Sequence, residues 1–214
     1  GDDIMATLTV PREFRRVQAH FPILFRRETG GEAFTALAMF GFQNGENLFL
    51  DGDRWDARYR PLSVAIQPFL IGRPAGGDGP GQIHIDMDHP RIAATGEGIR
   101  LFDAEGAATP YLDSIAERLG DLDEGYRESG AFYDALLAYD LLEPFSLEVT
   151  LDDGPIHPLV GFHIIDEAKL RALDGEAHGA LHAAGHLMPM FMALASLSQL
   201  SVLVARKNRR LAGG

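Results

Sequence analysis

The stretch LLEPFSLEVTLDDGPIHPLVGFHIID, Leu141 to Asp166, decides the fold class. Phe145, Leu147, Val149 and Leu151 alternate with Ser146, Glu148 and Thr150, the period of two that gives a strand one buried face. Asp153-Gly154 is a turn dipeptide, and His157–Ile165 returns as a second apolar run, so the segment reads as a hairpin. Glu143-Pro144 closes the element before it, because the residue preceding a proline is steered out of the helical region. Asp166 offers its side chain as the N-cap of a helix after it.

Working outward, strands dominate before the hairpin and helices follow it. Phe21–Arg27 and Phe34–Phe42 are apolar runs joined through Thr29-Gly30-Gly31, a second hairpin. Asn47–Leu50 reads as a short strand closed by Asp51-Gly52. Ser63–Gly72 and Gln82–Met87 read as strands flanking RPAGGDGPG, a loop from Arg73 to Gly81. Thr109-Pro110 opens a helix over Tyr111–Leu119, and another covers about Glu128–Tyr139. Past the hairpin, a helix runs from Asp166 to about Ala184 before Gly185 interrupts it, and a last one spans Leu187 to Arg209. The expected fold is α+β: a mostly antiparallel N-terminal sheet with a central hairpin, and C-terminal helices packed on it, the last one buried. A single domain over 5–210 is expected, with Gly1–Ile4 as residues added ahead of a natural start at Met5 and 211–214 as a tail.

At 46% hydrophobic and 23% charged, the chain has the composition of a globular protein, neither disordered nor fibrous. Its net charge of −12 disfavours nucleic acid, whose phosphates it would repel. The dense basic run Arg206-Lys207-Asn208-Arg209-Arg210 closes the last helix, where cations complement the carbonyl end. The absence of cysteine excludes disulfides, thiolate zinc sites and a cysteine nucleophile. No secretory signal pattern opens the sequence, so a cytoplasmic location is expected. Leu187–Ala205 is long enough to span a bilayer, but Pro189, Ser196, Ser198, Gln199 and Ser201 favour a core helix.

Three stretches carry side chains with chemical potential. HGALHAAGH (178–186) spaces His178, His182 and His186 four apart. Helix rise puts the outer two about 12 Å apart, too far to share an ion, and Gly179 stands where an HExxH motif needs glutamate. In QIHIDMDHPRI, His84 and Asp86 form an H-x-D pair that, with His163 or His157 as a distant third ligand, matches a non-haem iron facial triad. Arg171 would then clamp a cosubstrate, but the helix opening at Asp166 stands where an oxygenase barrel needs a strand. A polar strand face is the favoured reading. In DGDRWDARYRP, Asp51, Asp53 and Asp56 start like a calcium loop, yet Trp55 and Asp56 occupy positions that need an oxygen ligand and a glycine. The same segment carries Trp55, Arg58, Tyr59 and Arg60, aromatic and arginine side chains of the kind binding surfaces favour. The favoured reading of the residues packs Trp55 and Tyr59 into the core beneath an aspartate-rich turn.

Four stretches, GENLFLDGDRWDARYRPLSV (Gly45–Val64), LLEPFSLEVTLDDG (Leu141–Gly154), GFHIIDEAKLRALDGEAHGALHAAGHL (Gly161–Leu187) and LASLSQL (Leu194–Leu200), together resemble the bacterial SapC family over nearly the whole chain from about Phe21. WDARYRP at Trp55–Pro61 and EPFSLEVTL are the most specific pieces. The family is distinct from the similarly named peptide-transporter permease, which has several transmembrane helices. The resemblance implies a link to surface-layer biology by name, but no agreed activity and no catalytic residues. It also implies a Leu-His pair at Leu181-His182, with no histidine required at 84, 178 or 186. The functional expectation is an accessory protein that recognises a peptide or protein partner through Trp55, Arg58, Tyr59 and Arg60, with no cofactor. The alternatives are a metal-dependent peptide-modifying enzyme, holding iron or zinc at His84, Asp86 and His163 or His157, and a structural surface-layer component.

Overall fold

A computed structural model describes the chain except residues 1, 29, 32, 53, 74–80, 94–95, 151–155 and 213–214; the side chains of 149–150 and 156–158 also lie outside the description. The strands are β1 (Ala6–Leu8), β2 (Ile23–Arg27), β3 (Phe34–Met39), β4 (Leu50–Asp51), β5 (Arg54–Trp55), β6 (Phe69–Gly72), β7 (Gln82–Ile85), β8 (Leu142–Thr150) and β9 (Ile156–Ile165). The helices are α1 (Phe14–Val17), preceded by a 3₁₀ turn at Pro11–Glu13, then α2 (Leu62–Ala65), α3 (Pro110–Ala138), α4 (Glu167–Ala172), α5 (Gly175–Ala183), α6 (Leu187–Ser196) and α7 (Gln199–Ala212). This is the α+β architecture the patterning predicts.

The hairpin that fixes the fold class forms one edge of a five-stranded antiparallel sheet, in the order β1-β3-β2-β9-β8. β8 and β9 pair from Leu142 opposite Ile165 to Thr150 opposite Ile156, with a register shift between Phe145 and Leu147. The Asp153-Gly154 turn lies outside the described residues. β2 and β3 pair as the second predicted hairpin, Ile23 opposite Ala38 through Arg27 opposite Phe34. The sheets β4-β5 and β6-β7 stand apart from the main one. Phe14, Phe21, Phe25, Phe40 and Phe132 are all essentially inaccessible. Each such burial stabilises the fold by roughly 2–3 kcal/mol, and edge-to-face contacts such as Phe14–Phe132 at 6.0 Å orient the rings.

Several elements depart from the sequence reading because distant contacts override local pattern. Tyr111–Leu119 and Glu128–Tyr139 are parts of one 29-residue helix, α3, which runs through Gly120, Gly125 and Gly130. Gly125 is required by packing: a Cβ there would lie 2.7 Å from Val10 Cγ2. Asn47–Leu50 is mostly a turn, because Asn47 Oδ1 accepts the Phe49 N–H at 2.9 Å and competes with strand pairing. Ser63–Gly72 opens as α2 before it becomes β6. Leu62 N–H donates to Glu13 Oε1 at 2.6 Å, so a carboxylate remote in sequence caps that helix. The helix expected from Asp166 to Ala184 breaks where Asp174 accepts the Ala177 N–H at 2.8 Å, a second N-cap. β1 and the Pro11–Val17 turn-helix have no counterpart in the reading.

The last helix is likewise divided, α6 and α7 being separated by a turn at 197–198. The segment Leu187–Ala212 is long and apolar enough to cross a membrane by length and composition, and 22% of its most apolar window is buried. The expectation of a buried final helix is therefore corrected. Met190, Ala193 and Leu203 face the core, while Met188, Phe191 and Val202 are exposed. Ahead of β1, Arg91 Nη2 donates to both carboxylate oxygens of Asp2.

Candidate binding site

The WDARYRP segment is anchored at both ends of its aromatic pair. Trp55 Nε1–H donates to the Tyr59 carbonyl at 2.8 Å, closing the segment on itself. The indole stacks edge-on against Phe40 at 5.3 Å and lies 6.0 Å from Phe21, while the Arg60 guanidinium sits 5.2 Å above it. Tyr59 and Trp55 are half-buried, Arg60 is partly buried, and Arg58 is exposed. Trp55 and Tyr59 thus root the segment, and Arg58 and Arg60 are its outward groups. Burial, with Arg91 nearby, holds the Arg60 guanidinium below its usual range.

Beneath Tyr59 lies a buried carboxylate that local sequence pattern does not reveal. Glu13 is 3% exposed. Its Oε1 accepts the Tyr59 hydroxyl at 2.6 Å and the Leu62 N–H, and its Oε2 accepts the Thr9 hydroxyl at 2.9 Å. Burial pushes the carboxyl pKa up against the opposing pull of these three donors. Burial also raises the Tyr59 phenol, and the adjoining Glu13 adds to that rise. The 3₁₀ turn, α2 and the family-like segment therefore meet at one satisfied polar hub.

The basic run near the C-terminus serves a purpose beyond complementing a helix dipole. Arg206 donates to Asp56 Oδ2 at 2.8 Å and to the Asp56 carbonyl at 3.0 Å, and lies 4.3 Å over the Phe49 ring. Arg210 reaches the Asn47 and Leu50 carbonyls at 3.1 and 2.6 Å. Lys207 and Glu46, both under a tenth exposed, form a buried ion pair. α7 thereby clamps the 46–56 loop that leads into WDARYRP. The arginines and lysine were visible in the sequence; their partners, some 150 residues away, were not.

Three adjoining depressions run along α3 beside this assembly. The first, about 580 Å³, is lined by Phe132, His186, Met188 and Met192, with Arg12 and Arg15 at its rim. The second, about 230 Å³, shares Arg12 with it and adds Glu13, Arg16 and Tyr59. The third, about 560 Å³, shares Arg16 and Tyr59 and adds Arg60, Glu117 and Arg118. Shared lining residues set them in a row, a trough with the 3₁₀ turn, α1 and Tyr59–Leu62 on one bank and α3 on the other, its first and second depressions parted where Arg12 and Val10 meet α3. Arg12 crosses it to Glu124 and Glu128. That strut is about half exposed, so water screens it and it adds little to stability. Arg15, Arg58 and Arg118 pair with no carboxylate among the described residues.

The histidines distribute differently from the spacing argument. On α5 His182 is exposed and His178 half-buried beside the Asp174 carbonyl, whereas Gly185, at φ +75°, ends that helical run and turns His186 back onto Phe132, 5.8 Å between ring centroids. Burial lowers the His186 pKa. The metal constellation is not assembled in one place. His84 is on β7 and packs over Gly72, whose Cβ would fall 2.4 Å from the imidazole. Asp86 follows β7 and accepts the Asp88 N–H. His163 is on β9 in the other sheet, edge-on to Phe34 at 5.0 Å. His157 lies opposite Val149 on β9, its side chain outside the description. Among the described residues, no three histidine or carboxylate side chains gather as ion ligands. Asp53 and residues 74–80 of the glycine-rich loop fall outside the described residues.

A family model described as SapC matches residues 1–203. Comparison with curated proteins and with solved structures returns no match.

Proposed function

Since the chain belongs to the SapC family, a membership that brings no catalytic set with it, we propose that it is a non-catalytic accessory protein that holds an extended peptide or protein segment in the trough along α3. The observation that carries this reading is the row of three adjoining depressions with shared lining residues, which offers a length of surface suited to a chain rather than to a compact metabolite. The bank is set in advance by the Glu13 hub and the α7 clamp, so little side-chain ordering remains to oppose binding. Arg60, held over Trp55, and Tyr59, tied to Glu13, present a rigid edge of the type that dominates interface energetics. The reading needs no metal or cofactor.

The test selects a random 12-residue phage-display library on the folded protein and titrates enriched peptides while following emission from Trp55, the chain's single tryptophan. Saturable binding is expected, weakened at least about tenfold, or ~1.4 kcal/mol, in a folded Arg60→Glu/Arg118→Glu variant. No enrichment, or equal binding by that variant, would remove the trough from consideration.

A further inference from the structure

We infer that the segment held in the trough carries a bulky apolar anchor residue at one end and carboxylates about four to five extended residues away; the inference rests on the trough being the binding surface. The two ends of the trough differ in chemistry. At the first depression the floor is Phe132, flanked by Met188 and Met192, whose unbranched thioethers adapt to the shape of a large apolar side chain. Met188 is 54% exposed and the neighbouring Phe191 48%, so apolar surface continues outward along α6. The His186 ring nitrogens have no hydrogen-bond partner among the described residues, and Arg12, Arg15 and Glu128 complete a lining that is otherwise apolar.

The third depression is lined instead by Arg16, Arg60 and Arg118 against Glu117 and Asp121. One of the two carboxylates, Asp121, also acts on Arg12. Arginine exceeds carboxylate at both ends, but only here do no phenylalanine or methionine side chains line the depression, and in a chain of net charge −12 that marks this end for an anionic group. Arg60 is partly desolvated over the indole, and its planar fork suits a carboxylate.

The spacing follows from α3, which lines both ends. It contributes Gly125, Glu128 and Phe132 to the first depression and Glu117, Arg118 and Asp121 to the third. The centres of these groups are about ten residues apart, or ~15 Å at the helical rise per residue. An extended chain covers that distance in about four to five residues.

Synthetic peptides test this directly. One carries phenylalanine and a Glu-Glu pair separated by four residues. The others change the separation to one or nine, replace the glutamates with lysine, or replace the phenylalanine with serine. Calorimetric titration is expected to rank the matched peptide first, at least about tenfold over each alternative. Arg118→Glu, an exposed substitution, should shift preference toward the lysine peptide, and Met192→Asp should remove the advantage of phenylalanine. Binding that ignores spacing, charge or anchor overturns the inference; if Arg60→Glu/Arg118→Glu still abolishes that binding, the trough itself stands. Absence of binding by every peptide, together with an unenriched random library, overturns both.

Discussion

Lys207→Met is the sharpest perturbation of the clamp between α7 and the 46–56 loop. Glu46 is 7% exposed, and its second oxygen already accepts the Phe42 N–H at 2.9 Å. The carboxylate cannot readily swing out to water, because Gly41 packs so tightly that its Cβ would lie 2.6 Å from the Glu46 carbonyl. Removing the ammonium leaves a buried, unpaired charge, which destabilises by about 3–5 kcal/mol. For a domain of this length each kcal/mol shifts the melting temperature by roughly 2–4 °C, so a fall of roughly 6–20 °C is expected. Thermal denaturation followed by circular dichroism measures it, and Trp55 emission reports the loop locally. Glu46→Gln in the Lys207→Met background removes the stranded charge and should restore most of the loss. A single variant that melts within about 2 °C of the parent, or a double variant no better than the single, would refute the clamp.

Glu13 gives a pH signature. Burial raises its folded-state pKa above the unfolded value of about 4.3, so the stabilisation it contributes is present below that value and is lost as pH rises through the folded pKa. Urea denaturation of the parent should show this loss relative to Glu13→Gln as pH rises from below about 4.3; parallel profiles would contradict it. Tyr59→Phe strands part of the same hub and should cost about 1–3 kcal/mol, whereas Arg58→Ala, exposed and unpaired, should change stability by less than about 0.5 kcal/mol; equal effects in thermal melts would place the segment's anchor elsewhere. Gly125→Ala is predicted by helix propensity to stabilise by about 1 kcal/mol. The 2.7 Å approach to Val10 predicts instead a loss of about 1–3 kcal/mol, recovered by adding Val10→Ala.

The hairpin Leu142–Ile165 and the pair β2-β3 were legible because alternation and turn residues are local signals. The continuity of α3 was not, since the glycines and acidic residues between Leu119 and Glu128 argue for a break, and only the contact of Gly125 with Val10 explains the exception. The candidate site divides in the same way. Trp55, Tyr59 and the arginines stand out by residue type, and inward packing of the two rings is the reading the sequence favours, but nothing local shows the Glu13 carboxylate that anchors Tyr59. Glu13 itself sits in PREFRR among charges that read as a solvated turn. His186 could be read as a third helical histidine until Gly185, in the left-handed conformation, turned it onto the trough. Contacts across 46 to 160 residues set these positions, and no periodicity records them.

Amide hydrogen exchange, with and without a peptide selected from the random library, tests the central claim most directly. The account predicts slowed exchange along the trough, at residues 11–16, 59–62 and 117–132, with the edge β6–β7 unchanged. Protection concentrated on β6–β7 or on the outer face of α5, with the trough unaffected, would contradict it.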